Sequence, residues 1–181
     1  MHSGELWQEY DKQGVRVANG GVPQGGDFAQ LYAGAAVIIY RVKDGELEFL
    51  FQHRSKHIIG NPDQWDVSFC GHVNYGEPVI DTVLREGNEE IGVHLDPTKL
   101  EFAAKYTAGG DRIIYLYFYD WEDNPSDFSF NDHEVEEVRW VKYSDYEDFK
   151  LSAPIKPPLR KDVIFEHYMR IWAEKLQHGN H

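Results

Sequence analysis

The strongest restriction on the fold is a pair of apolar runs, Tyr32 to Arg41 and Leu47 to His53, separated by Lys43-Asp44-Gly45-Glu46. Two such runs joined by a short glycine-containing turn read as antiparallel strands, and their apolar character places them at the centre of a sheet. The rest of the chain must cover that pair. A hairpin is expected from Glu5 to Tyr10 and Val15 to Ala18, turning at Asp11-Lys12-Gln13-Gly14, and Asn19 to Gly26 reads as a glycine-rich loop. Trp65 to Cys70, Leu100 to Tyr106, Ile113 to Trp121 and Val135 to Val141 read as strands. Pro78 to Ile91, Tyr143 to Phe149 and Lys161 to Leu176 read as helices, the last beginning after a Pro154 to Pro158 boundary. Strands with interspersed helices predict an α/β or α+β fold on a mixed sheet.

With 181 residues, 41% hydrophobic and 14% aromatic, the chain can bury a core without metal or disulfide staples. It reads as a single domain over 1–181, with the hairpin and loop over 1–28, a core over 30–150 and a C-terminal helix over 151–181. The longest near-continuous apolar run, Ala33 to Tyr40, is far short of the ~20 residues that span a bilayer, and no basic-then-apolar segment follows Met1. A single cysteine, Cys70, agrees with a reducing compartment, so the expectation is a cytoplasmic protein with no membrane partner. Eighteen Lys and Arg against 31 Asp and Glu give a formal charge of -13, which repels a nucleic-acid polymer. A small phosphorylated substrate stays within reach if divalent cations neutralise both partners.

Pro78 to Ile91 carries Pro in the first turn, Asp81 near the positive end and Gly92 just beyond the last turn. Gly87 in its interior costs roughly 1 kcal/mol against Ala, so packing must hold this helix. Glu86, Glu89 and Glu90, at i, i+3 and i+4, fall on one face. Like charges at that spacing destabilise a helix by a few tenths of a kcal/mol per pair, and a bound hard cation is the natural compensation. Arg85, one turn before Glu89, can pair with it and orient it. A solvated acidic face has the same spacing.

Gly71, Glu77, Arg85, Glu86, Glu89, Glu90 and Gly92, with Val93 in the final aliphatic position, resemble the Nudix box, G-x5-E-x7-R-E-U-x-E-E-x-G-U. Seven fixed identities at average residue usage coincide by chance on the order of 10⁻⁸ times per starting position, so the match is specific. Gly87 departs from it, standing where the family has an aliphatic residue. The resemblance extends over roughly residues 30 to 142. It implies the Nudix fold, a mixed sheet sandwiched between helices, and a site that binds Mg²⁺, or Mn²⁺ in its place. By that likeness Glu86 and Glu90 are the principal metal ligands, Glu89 is a further ligand or base, and the Gly71 carbonyl caps the metal. In the family, metal-activated water attacks phosphorus in a diphosphate linked to another group, so a small-molecule diphosphate is the implied partner.

A further carboxylate is needed to accept the water's proton, and Glu134, Glu136 and Glu137 are candidates, with Glu134 preferred for its place nearest the preceding loop. Their alternation also suits an exposed edge strand. Arg54 and Lys56 follow a strand and supply cations for phosphate oxygens, and Trp65 is an aromatic candidate for substrate contact. The stretch Trp65 to Val73 resembles the approach to the box in isopentenyl diphosphate isomerases and their hydrolase relatives, with Cys70 and His72 where the isomerase has its catalytic cysteine and a metal-binding histidine. Ile113 to Trp121 holds no Glu-x-Glu and Gln30 to Arg41 no histidine, so the isomerase set is incomplete, while the hydrolase carboxylates are all present. The reading is therefore a hydrolase, with a Cys70-dependent isomerase and a non-catalytic ligand-binding module as alternatives and a homodimer left open.

Overall fold

The computed structural model describes residues 6–21, 31–122, 128–130, 133–156 and 163–178. The molecule is organised around one strand, β3 (Leu31–Lys43), whose first ten residues are all buried. Alternate side chains serve opposite faces. Ala35, Val37 and Ile39 pack with Leu50, Phe69, Val83 and Ile91, while Ala36, Ile38 and Tyr40 pack with Phe49, Phe51, Phe118, Phe165, Met169 and Trp172. A strand covered on both faces has no polar side to alternate with, which explains its continuous apolar run.

Along one edge β3 takes three antiparallel partners in succession. The N-terminal hairpin strand β1 (Trp7–Tyr10) pairs at Leu31 and Tyr32 and carries β2 (Arg16–Gly21) outside it. Next β6 (Phe69–His72) pairs with Gly34 to Val37, and β4 (Glu46–Arg54) pairs with Tyr40 to Lys43. Along the opposite edge β8 (Arg112–Asp120) runs parallel to β3 from Tyr32 to Tyr40, with β7 (Leu100–Ala108) antiparallel beyond it. β9 (Val135–Lys142) covers the far edge of β4. The mixed α+β sheet expected from sequence is therefore present, with β3 and β8 as a parallel pair among antiparallel ones.

β3 and β4 part company after the Tyr40–Phe49 pair. Beyond that point β6 occupies the vacated edge of β3, and β5 (Trp65–Asp66) the vacated edge of β4. Ser68 sits in the fork, fully buried. Its hydroxyl accepts from the Ile39 N–H at 2.8 Å and donates to the Leu50 carbonyl at 2.6 Å. Those two backbone groups would bond each other in an unbroken ladder, so one hydroxyl satisfies both while wedging the strands apart. The single strand expected over Trp65 to Cys70 is thus two short ones, split where the chain crosses from β4 to β3.

Helix α1 (Val79–Ile91) covers one face of the sheet. On the other face lie α2 (Tyr146–Ser152), entered through a 3-10 turn at Tyr143–Asp145, and α3 (Val163–His178). α3 contributes Phe165, Met169 and Trp172, an apolar stripe at i, i+4 and i+7, and Trp172 stacks on Phe118 with ring centroids 4.4 Å apart. Pro78, expected in the first turn, instead stands at the N-cap position just before α1 with extended backbone and no side-chain capping bond, and Gly92 ends the helix at φ 71, in the left-handed region. Most of the expected glycine-rich loop, the start of the hairpin at Glu5, residues 161 and 162 of the last helix and part of the Pro154 to Pro158 boundary lie outside the described residues. No helix among the described residues is long and apolar enough to cross a membrane.

Candidate active site

The site lies where β6 turns into α1. Gly71, on β6 opposite Ala35, faces the helix so closely that a Cβ there would fall onto the Glu86 carboxyl, and only glycine brings backbone and carboxylate together in this way. Glu77, in the connecting loop, accepts from the Asn74 N–H at 3.1 Å, the Thr82 hydroxyl at 2.9 Å and Arg85 Nε at 3.2 Å. This one carboxylate ties the loop to the helix and fixes the guanidinium. Burial acts to raise its pKa, but the bonds from Arg85 and Thr82 outweigh it and hold Glu77 below the usual glutamate range.

Arg85 in turn donates to Glu86 Oε1 at 2.7 Å, Glu89 Oε2 at 3.2 Å and the His72 carbonyl at 3.3 Å. Burial acts to depress the guanidinium, and Glu77 and Glu86 more than reverse it. Glu90 points inward, only 3% exposed, and accepts from Gln52 Nε2 at 2.8 Å. Burial, then the charges of Glu86 and Glu134, push its pKa well above the ordinary value, against the opposing pull of Gln52 and Arg54.

Among the described residues no three His, Cys, Asp or Glu side chains are gathered as metal ligands in this arrangement. Arg85 takes up Glu86 and Glu89 instead, as the available countercharge. The donor set nevertheless fits a hard divalent cation. It consists of carboxylate oxygens and a glycine backbone pressed against one of them, with the buried Glu90 carboxyl near Glu86, its pKa raised first by burial and then by the Glu86 charge. Glu134, just before β9, lies within electrostatic reach of Glu90, while its backbone carbonyl accepts from the Ser55 N–H at 2.8 Å. Glu136 accepts from the Lys56 N–H at 3.2 Å, and Glu137 pairs with Arg139 at 3.4 Å.

Arg54 also acts on Glu90, and its guanidinium is held by the Asn61 and Gly60 carbonyls at 3.3 Å each, with no carboxylate partner among the described residues. Lys56 is exposed. Trp65, expected to touch substrate, is instead 4% exposed and built into the core against Phe149 and His53, with the Arg139 guanidinium 4.4 Å above its ring. An aromatic next to a cleft in sequence became a core residue because it begins β5, under α2. Gly87 is also accounted for, since a Cβ there would meet Phe69 at 3.2 Å and Val93 at 3.3 Å, so these neighbours fill the space of the family's aliphatic side chain.

Three residues near the site escaped the sequence reading. Gln52 is the first, and a fully buried amide inside the Leu47 to His53 apolar run was the available signal. Asp66, 4% exposed, accepts from Lys156 Nζ at 2.6 Å and from the Cys70 thiol at 3.7 Å. Nothing local could pair Asp66 with Lys156, 90 residues apart. Burial, then the Asp66 charge, pushes the Cys70 thiol up to about 12. The His72 ring lies flat against Trp7 of β1, centroids 3.5 Å apart.

A protein from Arabidopsis thaliana named Nudix hydrolase 3 is 28% identical over 159 residues, covering 82% of this chain and 20% of that protein. An isopentenyl-diphosphate delta-isomerase from Cutibacterium acnes is 28% identical over 104 residues, 51% of this chain and 52% of its own. The chain thus spans about a fifth of the first relative and about half of the second. A crystal structure of a Deinococcus radiodurans protein superposes with a TM-score of 0.71 at 16% identity, covering 92% of this chain and 98% of that one, which attests the fold. The model of the NUDIX domain matches residues 32–162, from β3 past Ile155, so it takes in every carboxylate described above and the chain belongs to the NUDIX family.

Proposed function

We propose that the chain is a divalent-metal-dependent pyrophosphohydrolase, cleaving a phosphoanhydride bond in a nucleoside diphosphate linked to another group or in a related organic diphosphate. The observation that carries this reading is the convergence of Glu86, the Gly71 backbone and the buried Glu90 along the C-terminal half of α1, with Arg85 and Glu77 behind them. Glu86 and Glu90, joined by Glu89 and the Gly71 carbonyl, are the residues to hold Mg²⁺ or Mn²⁺, which the family generally requires. A cation there would neutralise the diphosphate and lower the pKa of a water molecule.

Arg85 keeps Glu86 and Glu89 on the face they must present. In this reading Glu134 takes the proton from the attacking water as the water oxygen bonds to phosphorus, and the electron pair of the broken P–O bond leaves on the departing phosphate. Arg54, which has no carboxylate hydrogen-bond partner among the described residues, and the exposed Lys56 are cations for the remaining phosphate oxygens. We place the protein in the cytoplasm, with a small molecule rather than a polymer as substrate.

The isomerase-named relative favours a second reading in which Cys70 handles a proton at carbon. The thiol's pKa of about 12 and its carboxylate neighbour Asp66 weigh against it. A panel of organic diphosphates with Mg²⁺ and Mn²⁺, read by mass spectrometry, should give metal-dependent phosphoanhydride cleavage, and Glu90→Gln should weaken Mn²⁺ binding at least tenfold. Deuterium uptake into an allylic product from isopentenyl diphosphate, with no phosphate released, would replace the hydrolase reading with the isomerase one.

A further inference from the structure

We infer that Gln52 is a positioning residue for the metal face: its amide holds Oε2 of Glu90 from behind and leaves the other carboxylate oxygen for a cation shared with Glu86. The inference rests on the reading of Glu86 and Glu90 as metal-holding residues.

Three observations carry it. Gln52 has no exposed surface, and a buried amide is costly unless hydrogen-bonded, yet its neighbours on β4, Leu50 and Phe51, are apolar and fully buried. Packing alone would favour leucine or methionine here. Among the described residues the side chain makes one hydrogen bond, from Nε2 to Glu90 at 2.8 Å, and its Oε1 has no partner. Burial of this amide therefore serves the carboxylate and leaves the amide's own acceptor unsatisfied. Finally, the backbone at Gln52 is pinned from both edges, opposite Val138 on β9 and Asp66 on β5. A donor on so fixed a base aims the carboxylate more tightly than a loop residue could.

The chemistry of the donor matters as much as its place. A lysine or arginine would also hold Glu90, but its charge would neutralise the carboxylate and repel a divalent ion. Glutamine donates without charge, so it fixes the ligand and leaves its negative charge for the cation. Outer partners of ligating carboxylates typically set metal affinity by about 10- to 100-fold.

Mn²⁺ titration of the whole chain, following the free-ion signal by electron paramagnetic resonance, tests this independently of turnover. Gln52→Leu should raise the Mn²⁺ dissociation constant about tenfold or more at unchanged stoichiometry, whereas partial misfolding would lower the stoichiometry and leave the affinity of the folded fraction alone. Gln52→Lys should fail to restore affinity although it can still donate. Gln52→Met, nearly the same shape but without a donor or a charge, provides the measurement should the leucine variant not fold, and it should also bind more weakly. Unchanged affinity in the Gln52 variants alongside weakened binding in Glu90→Gln would overturn the positioning role and leave the metal face standing. Unchanged affinity in Glu90→Gln as well would overturn the reading on which the inference rests.

Discussion

Cys70 stands one residue before the glycine that meets Glu86, and what it touches settles what it can do. Its thiol faces Asp66 across 3.7 Å, and a thiol beside a carboxylate in a partly buried setting keeps its proton. Cys70→Ala should therefore keep kcat on an organic diphosphate within a few-fold and cost mainly stability, to be checked by steady-state kinetics on the hydrolysis reaction. A loss of ~10² to 10⁴ would mean that the thiol transfers a proton in the reaction. At this scale the acidic face was legible, because i, i+3, i+4 spacing is a property of any helix and the fixed glycines flank it. Glu134 also stood out, as the carboxylate nearest the loop, and its charge acts on Glu90. Gln52, Asp66 and Lys156 were not legible, since each draws its meaning from a partner that only the folded chain brings near. Trp65 shows the converse error, because an aromatic residue gives the same sequence signal whether it lines a cleft or fills a core.

Among the elements, strand ends were easier to read than strand partners. Turn residues announced the β1–β2 and β3–β4 hairpins, and the β3–β4 pairing followed directly from them. Sequence carried no sign that β8 would lie parallel to β3, because a parallel pairing is decided by the crossover that separates the two strands. The split of β5 from β6 was equally hidden, as it depends on Ser68 reaching two strands at once. That hydroxyl makes a sharp prediction. Ser68→Ala leaves the Ile39 N–H and the Leu50 carbonyl without their partner in a fully buried fork, at about 1 to 3 kcal/mol for each group left unpaired. Urea denaturation should show a lower midpoint with an unchanged slope. A midpoint equal to that of the parent would mean that the two strands close on each other and that the wedge is dispensable. The N-terminal hairpin is a further case, readable as a hairpin but not as a clamp. In the structure Gln8 N–H donates to the Val73 carbonyl at 2.8 Å and Tyr75 N–H to the Leu6 carbonyl at 2.7 Å, so it grips the loop between Gly71 and α1.

For the molecule as a whole, β3 is the strand on which β1, β4, β6 and β8 all depend, and it is synthesised before β8. Roughly 70 residues separate Lys43 from Arg112. At about 5 to 20 residues per second, the edge that β8 will cover waits roughly 4 to 14 s on the ribosome. An apolar strand with an open edge is a template for pairing with other chains. The run Ala33-Gly34-Ala35-Ala36 has weak strand propensity, which slows premature pairing in the half of β3 that lies farthest from its β4 hairpin. A fragment of residues 1–110 should therefore sediment as aggregate under conditions that keep the full chain in solution, and adding a peptide spanning Arg112 to Asp120 should reduce the pellet. Because β1, β4, β6 and β8 all pair with one strand, the time that strand spends unaccompanied is the interval in which other chains can pair with it.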